Sequence, residues 1–98
     1  MKPPIIISPE AETDISEAKS WYENQRSGLG DEFVGCVDEA FEQIRQWPNL
    51  SPKVFLDLRR KVVRRFPYLV IFRIDDDQIT VVAVYHGKRD PRGWQGRV

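Results

Sequence analysis

The sequence predicts an α+β fold in which a helical hairpin packs on one face of a small, mainly antiparallel sheet. Three observations support this prediction. A short β-branched run, Ile5–Ile7, lies near the N-terminus, and two segments with helical spacing of apolar residues follow it. The C-terminal half then carries two long apolar runs, Tyr68–Ile74 and Ile79–Tyr85. The predicted order is β-α-α-β-β-β, with both helices on the same side of the sheet.

The length and composition indicate one small domain spanning residues 1–98. The chain carries no net charge and has one cysteine, Cys36, which excludes an internal disulfide and predicts neither a metal site nor a cofactor. No apolar run approaches the roughly 20 residues that a membrane span requires. The apolar run within MKPPIIISPE is too short for a secretory leader, so we expect a cytoplasmic protein without membrane contact.

The charge is distributed unevenly along the chain. Residues 1–50 contain four basic and ten acidic residues, a net charge of −6, and residues 51–98 contain eleven basic and five acidic residues, a net charge of +6. This asymmetry predicts a basic face in the C-terminal half, suited to an acidic protein segment or to nucleic acid. Two oppositely charged surfaces that only solvate the fold remain an equal alternative.

The first helix is predicted from Pro9 to about Asn24. Ser8 is a good N-cap, Pro9 suits the first helical position, and the apolar residues recur at helical spacing. A glycine-containing break at residues 27–30 predicts a second helix from about Asp31 to the residue before Pro48. Trp21, Trp47 and the phenylalanines are expected to lie in the core.

Short extended segments are expected between the second helix and the long apolar runs. Val54–Leu56 is a candidate extended piece, and Val62-Val63 fits a strand with one exposed face. Phe66-Pro67 then predicts a turn into the central strand.

The last two strands are predicted to form a hairpin about Asp75–Gln78. This turn pairs residues of one apolar face, which we expect against the helices: Ile74 with Ile79, Phe72 with Val81, Val70 with Ala83, and Tyr68 with Tyr85. The opposite face, which we call the second face, is half apolar and half polar. Its pairs are Arg73 with Thr80, Ile71 with Val82, and Leu69 with Val84. Either a partner segment or the C-terminal tail of the chain itself covers it.

The order of motifs resembles a known family. Arg59-Arg60 and the run from Lys61 to Tyr68 precede an apolar strand, an acidic turn and a second strand, and the tail reads His86-x-x-Arg89-x-Pro91-x-x-Trp94-x-x-Arg97. The front half adds Ser8-Pro9-Glu10-Ala11, Asp14-Ile15, Trp21-Tyr22, Gly30, Phe33 and Pro48. Together these features resemble the ParE branch of the RelE/ParE toxin superfamily over nearly the whole chain.

The resemblance implies the toxin of a bacterial type II toxin–antitoxin, or plasmid stabilisation, module. Toxins of the ParE type poison DNA gyrase and block replication, whereas relatives of the RelE type cleave mRNA in the ribosomal A site. In both branches a cognate antitoxin, expected from an adjacent gene, wraps the toxin with a helix and an extended segment. Two alternatives therefore stand beside gyrase inhibition: a ribosome-dependent endoribonuclease and a degenerate member without toxicity.

The residues favour binding over catalysis. RNA cleavage without a metal needs clustered cations together with a proton donor and acceptor. Arg64, His86 and Arg89 are weak candidates for these roles, since histidine ordinarily titrates near neutral pH. The C-terminal tyrosine of the ribonuclease branch has no equivalent, because Trp94 and Gln95 stand in its place, and Lys53 stands alone where that branch has two lysines. The sequence therefore leans against an enzyme.

Two sets of residues are predicted to bind partners. Arg89, Trp94 and Arg97 lie in a tail that contains glycine and proline and has no evident packing role, so they are the target-binding candidates. The antitoxin-binding candidates are those of the second face: Leu69, Ile71, Arg73, Val82 and Val84. Arg59, Arg60 and Arg73 are mainly framework candidates, with Arg59 and Arg60 expected to pair with helix carboxylates. His86 is expected to hold the tail by hydrogen bonds.

Overall fold

Ser8 begins the first helix as predicted. Its hydroxyl oxygen accepts the Ala11 N–H at 3.1 Å, which satisfies one of the unpaired amides of the helix start. The computed structural model describes residues 2–98 and places two long helices on one face of a five-stranded sheet. The elements in chain order are β1 (Ile5–Ile7), α1 (Pro9–Gln25), α2 (Leu29–Gln46), a 3-10 turn (Pro48–Leu50), β2 (Lys53–Phe55), β3 (Leu58–Val62), β4 (Tyr68–Asp75), β5 (Gln78–His86) and α3 (Arg92–Gln95).

The predicted α+β fold is confirmed, with one strand more than expected. The strands lie in the order β1-β5-β4-β3-β2; β1 is parallel to β5 and the other neighbours are antiparallel. The additional strand is β2, which corresponds to the short extended piece expected near Val54. Among residues 2–98, neither long helix is apolar enough over its length to cross a membrane.

The turn between the helices is held by Glu23. Its carboxylate accepts the N–H groups of Gly28 at 2.9 Å and Gly30 at 3.0 Å, and these bonds lower its pKa from the usual value. Gly28 has a positive φ of 88°, which suits a residue without a side chain. A Cβ at Gly30 would lie 2.7 Å from the Lys19 carbonyl oxygen, so the close approach of the two helices also requires glycine there.

The first core lies between the helices and the sheet. Its centre is a cluster of aromatic rings, in which Phe33 contacts Tyr22, Phe66 and Tyr68 with ring centroids 5.0–5.3 Å apart. The phenylalanines are largely buried as expected. The prediction that Trp21 and Trp47 lie in the core is wrong, since they are 58% and 50% exposed.

The hairpin register is confirmed near the turn and wrong beyond it. Ile74 pairs with Ile79, Phe72 with Val81 and Arg73 with Thr80, but a bulge follows, and Ile71 pairs with Ala83 instead of Val82. Two residues of β5, Val82 and Ala83, therefore occupy the space of one, and every later residue is shifted by one place. Val70 consequently pairs with Val84, and Tyr68 pairs with His86.

The bulge changes which side chains share a face. Val84 lies in the first core with Val70 and Phe72, so its predicted position on the second face is wrong. Ile71 and Val82 do lie on the second face, where the C-terminal tail of the chain covers them. This second core contains Leu58, Ile71, Val82, Ala83, Tyr85 and Trp94.

Candidate functional site

Trp94 is part of the second core. Only 6% of this residue is exposed, and its ring meets Phe55 edge to face, with the ring centroids 6.0 Å apart. Gly93 lies so close to Tyr85 that a Cβ would come within 2.0 Å of the phenolic oxygen. The expectation that Trp94 has no packing role is therefore wrong: a short helix in the tail presses its indole onto the sheet.

Arg97 ties the tail to the start of the fold. Its guanidinium donates to both carboxylate oxygens of Asp14, at 2.7 and 3.0 Å, and to the Val82 carbonyl at 3.2 Å. Asp14 also accepts the Val84 N–H at 3.0 Å. The hydrogen bonds to Asp14 raise the pKa of Arg97 further above its usual value. The expectation that Arg97 has no packing role is therefore wrong as well.

Arg89 is the predicted target-binding residue that remains on the surface. Its guanidinium lies over the Tyr85 ring, 4.2 Å from the centroid, and it forms no ion pair with a carboxylate among residues 2–98. Nearby, His86 Nδ1 accepts the Lys88 N–H at 3.0 Å, and the His86 carbonyl accepts the Arg89 N–H at 3.1 Å. His86 thus shapes the start of the tail by hydrogen bonds, as expected.

An open pocket of about 560 Å³ lies where α1 meets the ends of β4 and β5. We call it the aromatic pocket; it is lined by Trp21, Tyr22, Pro67, Tyr68, His86, Lys88 and Arg89. Burial raises the pKa values of Tyr22 and Tyr68, so both phenols remain protonated well above neutral pH. Sequence reasoning found His86 and Arg89 but missed the pocket, because the helical pattern assigns Trp21 and Tyr22 to the core.

The three weak catalytic candidates do not come together. His86 and Arg89 line the aromatic pocket, but Arg64 does not. Arg64 pairs in bidentate fashion with Glu39 on α2, at 2.8 and 3.2 Å, and this pairing lowers the pKa of Glu39. Of the three candidates, the pocket therefore contains one arginine and the histidine.

A second depression, of about 600 Å³, lies between the end of α2, the 3-10 turn and the edge of β3. We call it the edge groove; it is lined by Gln43, Gln46, Trp47, Leu50, Ser51, Pro52, Arg60, Lys61 and Val62. Leu50 is 78% exposed, and Trp47 and Val62 are also exposed. The sequence does contain a signal for this groove. Trp47 and Leu50 lie on either side of Pro48, which ends the second helix, so helical packing does not require apolar residues at these positions.

The arginines that precede β4 have separate surroundings. Arg59 donates to the carbonyls of Asn49 at 3.3 Å and Ser51 at 2.7 Å, so it supports the fold through backbone oxygens instead of the expected helix carboxylates. Arg60 and Lys61 line the edge groove and form no ion pair within residues 2–98. Arg73 pairs with Asp75 at 3.0 Å.

Ion pairs between the two halves of the chain neutralise part of the charge asymmetry. Arg65 bonds to Glu32 at 3.0 Å, and the Arg64–Glu39 and Arg97–Asp14 pairs likewise join the basic half to the acidic helices. Six basic side chains have no carboxylate partner in residues 2–98: Arg60 and Lys61 line the edge groove, Lys88 and Arg89 line the aromatic pocket, and Lys53 and Arg59 line neither. Those two surfaces are therefore the candidate binding sites.

The fold defines the structural class of the protein, a helical hairpin packed on one face of a five-stranded, mainly antiparallel sheet. The structure is similar to one described as the chromosomal ParDE TA system from P. aeruginosa, with a TM-score of 0.78 and 16% identity over 87% of this chain and 96% of that chain. It is also similar to the YoeB dimer from Staphylococcus aureus, with a TM-score of 0.61 and 17% identity over 87% and 97% of the two chains.

The sequence comparisons define the family within that class. The model of the ParE toxin of the type II toxin–antitoxin system parDE matches residues 5–91. Toxin ParE2 of Mycobacterium tuberculosis is 31% identical over 88 residues, which cover 89% of this chain and 84% of the relative. This chain belongs to the ParE family of toxins of type II toxin–antitoxin systems.

Proposed function

We propose that this chain arrests growth by binding DNA gyrase and blocking replication, with no covalent chemistry of its own, and that a cognate antitoxin neutralises it. One observation carries the choice of binding over cleavage. The exposed cation Arg89 stands beside aromatic rings, whereas the other candidate arginine, Arg64, is held by Glu39 on α2.

The hydrogen bonding of His86 supports the same choice. Its Nδ1 accepts the Lys88 N–H, so the proton of the neutral imidazole lies on Nε2. With Nδ1 engaged as an acceptor, His86 has an N–H donor at Nε2 and no free acceptor nitrogen. Activation of a ribose hydroxyl needs a base within hydrogen-bond reach, and among the pocket side chains no carboxylate is available for that role.

The first prediction concerns gyrase. The purified chain should inhibit supercoiling or trap cleaved gyrase–DNA complexes, and Arg89→Ala should weaken this effect at least about tenfold, as expected for a contact residue at an interface. Arg92→Ala is the matched control, because Arg92 is also exposed and its ion pair within residues 2–98 is with the neighbouring Asp90. Growth arrest without any effect on gyrase would contradict the proposal. Codon-phased mRNA cuts would establish the ribonuclease, and normal growth on strong induction would establish a non-toxic member.

The surface that receives the antitoxin differs from the one predicted from sequence. Ile71, Val82 and Val84 are buried within the chain, and Arg73 is engaged by Asp75. Leu69 is partly buried against the second core. Contact through Ile71 and Val82 would require the tail to leave the sheet, and Val84 lies in the first core beneath the helices, so we assign the antitoxin to the edge groove instead.

Three properties of the edge groove support this assignment. It exposes apolar side chains at Trp47, Leu50 and Val62, which an apolar partner surface would bury. Arg60 and Lys61 favour an acidic segment. Finally, among residues 2–98, β2 pairs with Leu58 and Arg59 of β3 and leaves the β3 edge at Lys61 and Val62 unpaired in the groove, and an extended segment can add to such an edge by main-chain hydrogen bonds.

The second prediction separates antitoxin binding from toxicity. The double variant Trp47→Ala/Leu50→Ser should still arrest growth, but co-expression of the antitoxin should no longer restore it. The affinity of the purified pair should fall about 30-fold or more, since buried apolar anchors at interfaces often contribute about 2 kcal/mol or more. Ile6→Ser on the opposite edge strand, also exposed, is the control. Full rescue of the double variant with unchanged affinity would refute the assignment.

A further inference from the structure

We infer that the aromatic pocket binds a nucleotide, with the base stacked on Trp21 and the phosphate held by Arg89 and Lys88. This inference goes beyond the proposed function, because it assigns a ligand that gyrase binding does not require. The ligand chemistry has two sources, a free mononucleotide or an unpaired residue of a single-stranded nucleic acid, and the experiment distinguishes them.

The wall of the pocket is a supported aromatic platform. Trp21 is more than half exposed, and its ring meets Tyr22 edge to face with the centroids 5.1 Å apart. Tyr22 in turn packs against Phe66 at 4.8 Å and Phe33 at 5.3 Å, which anchors the platform in the first core. Stacking of a base on an aromatic side chain contributes about 1–3 kcal/mol and tolerates any base.

The polar side chains of the pocket are donors. Lys88 and Arg89 have no carboxylate partner among residues 2–98, and His86, whose Nδ1 accepts the Lys88 N–H, has a donor at Nε2. The hydroxyls of Tyr22 and Tyr68 remain protonated at neutral pH because burial raises their pKa values. Such a set suits the oxygens of a phosphate, which accept hydrogen bonds and carry negative charge.

The surroundings leave the pocket favourable to an anion. The lining residues include no carboxylate. Two acids, Asp14 and Glu17, lie in the adjoining depression that shares Trp21, Tyr68 and Arg89. Asp14 is paired with Arg97, so Glu17 is the one opposing charge and is outnumbered by Lys88 and Arg89.

The same features favour a nucleotide over a protein segment. A peptide presents N–H groups that need acceptors or an open strand edge, and the aromatic pocket lies at the strand ends and is lined by donors. The pocket of about 560 Å³ falls within the range of about 300–1,000 Å³ typical of small-molecule sites. The edge groove, which contains the edge of β3 at Lys61 and Val62, is the better site for a peptide.

The experiment uses the full chain carrying Trp47→Phe, so that Trp21 is its one exposed indole and its fluorescence reports on the pocket. Adenosine 5′-monophosphate, adenosine, inorganic phosphate and a dodecamer of deoxythymidine are titrated separately, and calorimetry checks each affinity. The monophosphate should quench Trp21, with adenosine and phosphate each at least about tenfold weaker. Tighter binding of the dodecamer than of the monophosphate assigns the source to a single strand, and the reverse assigns it to a free nucleotide.

Matched variants connect the binding to the pocket. Trp21→Ala and Arg89→Ala should each weaken nucleotide binding at least about tenfold, whereas Arg92→Ala should leave it unchanged. Calorimetry measures the Trp21→Ala protein, which lacks the fluorescent reporter. The inference is overturned if neither nucleic-acid ligand binds, if phosphate alone binds as well as the monophosphate, or if both pocket variants bind normally. It is also overturned if an acidic peptide containing tryptophan binds the pocket more tightly than either nucleic-acid ligand. The binding assay contains no gyrase, so a failure of the chain to inhibit gyrase would not change the outcome of the nucleotide titration.

Discussion

Replacement of Trp94 with alanine should lower the free energy of unfolding by about 3–5 kcal/mol, the usual loss when a large aromatic side chain is removed from a core. The indole closes the second core over Leu58 and Ile71, both of which are fully buried. Its removal would leave a cavity beneath a helix of four residues, which has little stability of its own. For a domain of this size such a change is a large part of the total stability.

Chemical denaturation of the full chain measures this effect. Trp21→Ala is the matched control, because Trp21 is largely exposed and its replacement should change the free energy of unfolding by much less. Equal unfolding midpoints for the wild type and Trp94→Ala would show that the tail does not pack on the sheet in solution. A stable Trp94→Ala protein that has lost only target binding would restore the sequence-based prediction that Trp94 contacts the target.

The two tryptophan assignments show what local sequence can and cannot predict. Trp21 immediately precedes Tyr22, which lies on the buried stripe of α1 with Ala11 and Ala18, so the indole lies beside that stripe and is largely exposed. Trp94 lies among glycine and proline, which predicts an irregular tail. Its burial depends on the path of the tail across the sheet, and no local pattern encodes that path.

The register error has a different physical origin. Alternation predicts which side chains share a face only while each residue of one strand faces one residue of the other. The bulge at Val82 breaks that condition, and residues far away in sequence form hydrogen bonds to it. The Val82 carbonyl accepts hydrogen bonds from Arg97 at 3.2 Å and from the Ser8 hydroxyl at 3.3 Å. Two distant parts of the chain therefore stabilise the irregularity.

Elements were predictable where the signal is local. Ser8, Pro9 and the break before the second helix predict the helical hairpin, and the acidic turn predicts the pairing of Ile74 with Ile79. Of the candidate binding residues, Arg89 and His86 were identified, since a cation and a histidine after a strand are visible in one dimension. The pocket that contains them also needs α1, and the edge groove needs α2 beside β3.

Arg97→Ala should lower the free energy of unfolding by about 3 kcal/mol, the lower end of the range for breaking a buried ion pair. Asp14 is only 8% exposed and Arg97 20% exposed, so loss of the guanidinium leaves a carboxylate with little access to water. Lysine should restore only part of the stability, because it cannot donate to both Asp14 oxygens and to Val82 in the same planar geometry. Arg92→Ala, which removes an exposed arginine of the same tail, should have almost no effect.

A double-mutant cycle with Asp14→Asn tests whether the two residues act as one unit. If they do, Arg97→Ala should cost much less in the Asp14→Asn background than in the wild type, and the coupling should exceed about 1 kcal/mol. Strictly additive losses would contradict the pairing. The same variants decide the predicted role of Arg97 in target binding. If Arg97 acts by holding the tail, Arg97→Ala and Asp14→Asn should both reduce gyrase inhibition, because Asp14→Asn removes the ion pair and leaves the arginine present. If Arg97 contacts gyrase directly, only Arg97→Ala should reduce the inhibition.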